Sequence, residues 1–172
     1  TAMEGTTISQ LSHYVKADTN TTSQTSQAEN DLTQYKKING IGDNTVLGAD
    51  FSHYQLQKNA WKKVWKNYKG IEVSNVFEYV RSQGINTISV KVAVNPAKDD
   101  SYLSLEYAKE TLKEAKKAGL KTNVVLLYSD KITYGNSQEL PGGWSVDKAA
   151  EEANKYTKTV LEELKRAGAT PT

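Results

Sequence analysis

The chain has 172 residues, and its 22 Lys and Arg nearly balance its 20 Asp and Glu, giving a formal net charge of +2. With 37% hydrophobic and 24% charged residues, it has the composition of a polar globular domain, and its interspersed charges argue against a nucleic-acid partner. The absence of cysteine excludes disulfides and thiolate metal sites, and only His13 and His53 are available to ligate a metal. We therefore expect no metal and no cofactor. No apolar run approaches the roughly 20 residues that a membrane span needs.

Residues 1–44 differ in character from the rest of the chain. Residues 19–27 are polar and nearly featureless, with too little apolar area to offset their ordering entropy. We predict a tail or linker over residues 1–44, with a short helix where apolar residues recur between positions 8 and 15. Residues 1–5 lack the pattern of an intact signal peptide.

The globular part, predicted to span residues 45–172, alternates strands with helices. Its first predicted strand is a short apolar run at 46–50 that ends in Asp50, as a buried parallel strand does. A loop is predicted next, and it contains Trp61 and Trp65, which default to core or hairpin packing. A helix then begins at the cap Ser74, with Val76, Phe77 and Val80 on its inner face, and ends at Gly84.

The strand–helix pattern repeats twice more. β-Branched residues alternate over residues 85–94 and predict a second strand. A helix is predicted over 102–118, with Leu103, Ala108, Leu112 and Ala115 facing inward. A third strand is predicted over 121–127, followed by a long loop up to Trp144. The last helix begins at Ser145, and the final residues look like the entry to a fourth strand.

This order predicts an α/β fold with parallel strands and right-handed crossovers. An open doubly wound sheet and a (β/α)₈ barrel both fit. No glycine-rich phosphate loop follows the first strand, which argues against nucleotide binding. Polar residues follow the strand ends instead, where a barrel has its active-site rim. They are Asp50, Ser52, Asn95, Tyr128, Ser129 and Asp130.

Six short motifs, in order and at matching spacings between Leu47 and Thr172, resemble glycoside hydrolase family 53, the arabinogalactan endo-β-1,4-galactanases. The motifs are the segment 48–52 (Gly-Ala-Asp-Phe-Ser), the turn 68–72, the segments 84–86 and 94–96 around the second strand, the junction 115–121, and the loop that carries Tyr128-Ser129-Asp130, Gln138, Pro141 and Trp144.

The resemblance implies the N-terminal part of a (β/α)₈ TIM barrel, about three βα units plus the start of strand four. It also implies an extracellular endo-acting hydrolase with a retaining mechanism, which needs two carboxylates about 5 Å apart. In the family one catalytic glutamate ends strand four and the other comes from strand seven. Both therefore fall beyond Thr172, so we expect no catalytic residue in this chain and no hydrolysis by it alone.

Several family residues at sugar subsites are replaced. Ser89, Lys91 and Ala93 stand where the family's second strand usually has two arginines and a tryptophan. Leu127 stands where the third strand has a histidine, and Ile132 begins the segment that replaces a Trp-Ala-Asp-Pro sequence. Tyr134 in that segment is a candidate for a substitute aromatic platform.

Six residues are predicted to bind substrate. They are Asp50, Ser52, Asn95, Tyr128, Asp130 and Trp144. Four of them have a structural alternative. It is a loop hydrogen bond for Asp50, a turn for Asp130 and barrel packing for Tyr128. For Trp144, packing before its helix is favoured over stacking on a sugar.

Three functions remain open at this point. The first is a fragment of a hydrolase that acts on a polysaccharide or oligosaccharide. The second is a non-catalytic carbohydrate-binding or adhesion module, motivated by the replaced subsite residues. The third is a half-barrel that closes with the missing C-terminal half or with a second copy, because its sheet edges are open.

Overall fold

The structure is a computed structural model, and it describes residues 44–132 and 138–172. The predicted tail, apart from Asn44, lies outside the described residues, and so does Tyr134. The described residues divide into two compact units. The first contains residues 44–49 and 64–87, and the second contains residues 50–63, 88–132 and 138–172.

A parallel sheet of three strands is formed in the order β1-β2-β3. The strands are β1 (Gly48–Asp50), β2 (Thr87–Val92) and β3 (Lys121–Leu126). All three predicted strands are present, each shorter than its apolar run. The main-chain amide of Phe51 donates to the carbonyl of Ser89 at 2.8 Å, and Leu127 donates likewise to Val92.

Within residues 44–132 and 138–172, four α-helices accompany the strands. They are α1 (Tyr54–Asn59), α2 (Val76–Ser82), α3 (Leu105–Lys117) and α4 (Ala149–Arg166). The predicted loop after β1 is interrupted by α1, which begins four residues beyond that strand, whereas Trp61 and Trp65 lie outside a helix as predicted. Short 3₁₀ helices at Lys98–Leu103 and Val146–Lys148 precede α3 and α4.

In the first unit, α2 is capped by Asn75 and not by the predicted Ser74. The Asn75 side chain accepts hydrogen bonds from the main-chain amides of Phe77 and Glu78, at 3.1 and 3.2 Å. These amides would otherwise lack a partner at a helix start. Val76 and Phe77 are buried, as their spacing predicted. Gly84 follows with φ of +102°, a left-handed conformation that ends the helix.

The first unit also contains a tight hairpin around Asn67. Lys66 and Glu72 form an antiparallel bridge, and the Asn67 side chain accepts from the main-chain amides of Lys69 and Ile71. Trp65 therefore belongs to a hairpin, one of the two environments expected for it. Trp61, in the second unit, is exposed, so the core packing considered for it is not present.

The core of the second unit lies between one face of the sheet and helices α3 and α4. Its buried members are Val90, Val92, Ala108, Leu112, Val160, Leu164 and Ala169. The predicted inward positions of α3 are confirmed: Leu112 and Ala115 have no exposed surface. Because β2 alternates, the side chains of Ser89 and Lys91 point to the opposite face of the sheet.

The last residues lie beside β3. Thr172 donates its main-chain amide to the carbonyl of Thr122 at 3.0 Å, and its hydroxyl accepts from the Thr122 amide at 3.0 Å. Residues 169–172 are not assigned as a strand, but they begin to pair where a fourth strand was expected.

Candidate functional site

Asp50 and Ser52, two of the predicted site residues, lie at the carboxyl end of β1, where both contact Lys91 of β2. The Asp50 carboxylate forms an ion pair with the ammonium group of Lys91, and its other oxygen accepts from the main-chain amide of Ser52 at 2.9 Å. The side chains of Asp50 and Lys91 are 40% and 31% exposed, so the pair remains in reach of a solute. An anchored carboxylate beside an ammonium group presents both acceptors and donors, as sugar hydroxyls require.

The ionisation of Asp50 follows from these contacts. Burial by itself raises the pKa of its carboxyl group, because it disfavours the charged form. Hydrogen bonds from Lys91 and Ser52 outweigh that effect and hold the pKa below its ordinary value. Asp50 is therefore an acceptor of hydrogen bonds at neutral pH and has no proton to donate.

Ser52 is hydrogen-bonded to both residues of this pair. Its side chain is buried, and its hydroxyl oxygen accepts from the main-chain amide of Lys91 at 2.9 Å. This bond ties the residues after β1 to β2. Ser52 therefore holds Asp50 and Lys91 in place through hydrogen bonds, and its buried side chain does not face solvent.

A second group joins Asn95, after β2, to Asp130, after β3. One carboxylate oxygen of Asp130 accepts from the main-chain amide of Asn95 at 2.9 Å. The other accepts from the main-chain amide of Gly142 at 2.8 Å, and the Asn95 side-chain amide donates to the Gly142 carbonyl at 3.4 Å. Asp130 thus holds two loop segments that are 47 residues apart in the chain.

Trp144 lies on the turn that contains Gly142. Its main-chain amide donates to the carbonyl of Pro141 at 3.0 Å, and Gly143 between them has φ of +85°. That left-handed conformation suits glycine, which has no Cβ. Pro141 is buried, and Trp144 is half-buried, so it retains some exposure to solvent.

Tyr128 follows β3 and is half exposed. The Thr157 hydroxyl donates to the Ala153 carbonyl at 2.8 Å, so the Tyr128 hydroxyl is the donor in its 2.9 Å bond to Thr157. Its ring meets Tyr156 edge to face, with 5.9 Å between centroids. Both contacts fix the orientation of an accessible aromatic ring.

His53 lies exposed just after Ser52, and its ring stacks on Tyr102 with 4.1 Å between centroids. His53 thus packs on a neighbouring aromatic ring at the surface.

Sequence reasoning placed Lys91 at a position where the family has a subsite residue, but did not include it among the six predicted substrate contacts. Its signal was a lysine in the middle of an apolar strand, flanked by the buried Val90 and Val92. Asn123 was also missed; its side-chain amide donates to the Ser89 hydroxyl at 3.1 Å on the same face of the sheet. That face is polar and partly exposed, unlike the apolar face that contacts the helices.

No group of three or more His, Asp or Glu suited to hold a metal occurs within residues 44–132 and 138–172. Among the helices that the structure describes, none has the length and apolar character to cross a membrane.

Comparison with known proteins places these features in a family. The profile of glycosyl hydrolase family 53 matches residues 46–172. A probable arabinogalactan endo-β-1,4-galactanase A from Aspergillus terreus is 33% identical over 121 residues, which make up 69% of this chain and 34% of that protein. The chain thus spans about a third of the length of the curated relatives it matches.

Solved structures agree with the sequence match. One from a study of two fungal β-1,4-galactanases is similar with a TM-score of 0.67 at 31% identity, over 74% of this chain and 38% of that one. The family 53 catalytic domain from Ignisphaera aggregans is similar in fold with a TM-score of 0.70 at 19% identity, over 79% and 40%. The chain belongs to glycosyl hydrolase family 53, and its three parallel strands with their helices have the fold of the N-terminal part of the family's (β/α)₈ TIM barrel.

Proposed function

We propose that this chain forms the first part of the glycan-binding cleft of an endo-acting hydrolase that cleaves a β-1,4-galactan-type polysaccharide. The observation that carries the proposal is the family match over residues 46–172. The site supports it, because polar and aromatic side chains gather after the strand ends, where barrels of this kind have their active sites.

The proposed sugar contacts divide into polar and aromatic groups. Asp50, with its paired Lys91, offers an ionised acceptor and a charged donor to sugar hydroxyls, and the exposed Asn95 side chain adds an amide. Tyr128 and Trp144 offer partly exposed ring faces that can stack on the C–H surface of a pyranose. We assign Ser52 a supporting role, because it is buried and bonded to β2.

We propose that hydrolysis proceeds with retention and that both catalytic glutamates come from polypeptide outside these 172 residues. Retention needs a nucleophile and an acid/base about 5 Å apart. The chain covers only 34% of its Aspergillus terreus relative. The two carboxylates that follow strand ends, Asp50 and Asp130, are each held by hydrogen bonds to neighbouring groups.

We further propose an extracellular location. An endo-acting enzyme of this family works on a polymer, and a polysaccharide chain is too large to enter a cell before it is cut.

A second candidate, a non-catalytic carbohydrate-binding or adhesion module, is favoured by one observation. Ser89, Lys91 and Ala93 stand where the family resemblance places two arginines and a tryptophan, and Lys91 is already paired with Asp50. Loss of such subsite residues would reduce turnover while leaving a glycan-binding surface.

The test titrates the 172-residue chain with β-1,4-galactotetraose by calorimetry and assays galactan for newly formed reducing ends. We expect binding without release of reducing ends, and weaker binding of cellotetraose, the matched β-1,4-glucan control. Absence of galactotetraose binding would contradict the cleft, and release of reducing ends would contradict the placement of the glutamates. Assay of the full-length gene product then separates the candidates: hydrolysis supports the enzyme, and binding without hydrolysis supports the module.

A further inference from the structure

We propose that Asp130 is a positioning residue that holds the turn carrying Trp144 in place for a sugar ring, and that it is not itself a ligand of the sugar. This inference rests on the proposed glycan-binding function. It assigns a different role to Asp130 than the direct substrate contact that its position after β3 suggested.

The geometry around Asp130 carries the inference. Both of its carboxylate oxygens accept from main-chain amides, one from Asn95 at 2.9 Å and one from Gly142 at 2.8 Å. Hydrogen bonds to an ionised acceptor are among the stronger ones in proteins. Because these bonds draw on both oxygens, the carboxylate is directed at the protein backbone.

The carbonyl group of Gly142 also has a hydrogen-bond partner. The Asn95 side-chain amide donates to the Gly142 carbonyl at 3.4 Å, so both polar main-chain groups of Gly142 have partners. We call the three residues Asn95, Asp130 and Gly142 the Gly142 clamp. It links the segment after β2, the segment after β3 and the turn before α4.

The Gly142 clamp restricts the backbone of Trp144, because Gly142 and Trp144 belong to the same four-residue turn. Gly142 and Gly143 are the two central residues of the turn closed by the 3.0 Å bond from the Trp144 amide to the Pro141 carbonyl. Two adjacent glycines give the backbone much freedom in the absence of external restraints. Fixing Gly142 therefore restricts the position of the indole two residues later, and an aromatic ring that is already positioned loses less entropy on binding.

A double-mutant cycle tests this role with β-1,4-galactotetraose as the ligand. We expect Asp130→Ala to weaken binding about tenfold, near the upper end of what a lost ring-stacking contact contributes. Trp144→Ala should weaken it by a similar factor, and the double variant should be no weaker than Trp144→Ala alone. Asp99→Asn, which removes a charge from an exposed residue, should bind like the wild type.

Additive losses in the double variant would overturn the inference, since they would mean that Asp130 contacts the sugar independently of Trp144. Unchanged affinity of Asp130→Ala would overturn it too, and would leave the clamp with a structural role alone. Urea unfolding of each variant shows whether a loss of affinity merely reflects a loss of fold.

A readout without sugar separates this inference from the proposed function. In ¹⁵N spectra of the free protein, Asp130→Ala should shift the Trp144 indole resonance and speed amide exchange at Asn95 and Gly142 about tenfold, the equivalent of one lost hydrogen bond. If the wild type fails to bind galactotetraose, the cleft proposal fails, while these two signals still decide whether Asp130 positions the turn. Their absence would overturn the positioning role whatever the sugar result.

Discussion

Lys91 of β2 and Asp50 of β1 form an ion pair at the carboxyl ends of adjacent parallel strands. Lys91 stands at a position where the family resemblance implies an arginine. A lysine presents a compact point charge and cannot offer the planar fork of donors that arginine offers to a carboxylate. Lys91 therefore keeps a positive charge beside the Asp50 carboxylate, but with a different hydrogen-bond geometry from that of an arginine.

Lys91→Met should raise the pKa of Asp50. The substitution removes the hydrogen bond and charge that oppose the effect of burial, and burial remains. In a carboxyl-carbon NMR titration, we expect Asp50 to titrate below its ordinary value of about 3.9 in the wild type and distinctly higher in the variant. Lys98→Met, at an exposed position, is the control; an unchanged Asp50 titration in Lys91→Met would contradict the pairing.

The same pair makes stability depend on pH in acid. Because the folded pKa of Asp50 is lowered, its contribution is complete above the unfolded value of about 3.9 and is lost as pH falls through the folded pKa. The partly exposed pair contributes about 0.5–1 kcal/mol after solvent screening. Urea unfolding at pH 6 and pH 3 should show a smaller acid-induced loss for Lys91→Met than for the wild type; equal losses would count against this linkage.

Glu114→Gln should destabilise the second unit. The Glu114 carboxylate on α3 accepts from Tyr54, Gln55 and Lys58 of α1, each at 3.0 Å. Burial raises its pKa, but these three donors outweigh burial and lower it. We expect a loss of about 1–2 kcal/mol in the free energy of unfolding, because Gln keeps one acceptor oxygen and part of the group faces water.

The control for that change lies on the same helix. Glu110→Gln removes an equal charge from a side chain that is 62% exposed and forms an ion pair with the exposed Lys113. It should therefore change the free energy of unfolding by less than about 0.5 kcal/mol. Equal effects of Glu110→Gln and Glu114→Gln in urea titrations would show that the α1–α3 network does not stabilise the fold.

Asn75→Ala should weaken α2 while Ser74→Ala should not. Asn75 accepts from the amides of Phe77 and Glu78, and loss of such a cap costs about 0.5–2 kcal/mol. Amide exchange at Phe77 and Glu78 reports this locally. Faster exchange in Ser74→Ala than in Asn75→Ala would show that Ser74, the cap predicted from the sequence, caps the helix.

Leu112→Ala tests the core between the sheet, α3 and α4. Leu112 has no exposed surface, and truncation of a buried leucine costs about 2–5 kcal/mol. Leu161→Ala on α4 is the matched control, since that side chain is 46% exposed and should cost far less. A comparable loss in both variants, measured by urea unfolding, would contradict this location of the core.

Much of the fold follows from local patterns in the sequence. The alternation of β2 and the helical spacing of Ala108, Leu112 and Ala115 identify elements that the structure confirms. Helix α1 was missed because six residues hold too little periodicity to distinguish a helix from a loop. The sequence did not distinguish Asn75 from Ser74 as the cap of α2, because both residue types are good caps. Only the backbone conformation decides which side chain accepts from the first free amides.

The candidate site was predictable as a region and less so as a set of contacts. Position after a strand end was enough to select Asp50, Asn95 and Asp130. Their partners are far away in the chain: Lys91 lies 41 residues beyond Asp50, and Gly142 lies 12 beyond Asp130. Such pairs depend on strand register and loop path, which no local pattern encodes.

The measurement that tests the central claim most directly is a ¹⁵N NMR titration of the 172-residue chain with β-1,4-galactotetraose. If the strand ends form a glycan-binding cleft, the amide resonances of Asp50, Asn95 and Asp130 and the indole resonance of Trp144 will shift together as sugar is added. The amides of Gly119 and Gly168, at the C-terminal ends of α3 and α4, will stay in place. Shifts confined to those two glycines, or no shifts at millimolar sugar, would contradict the account.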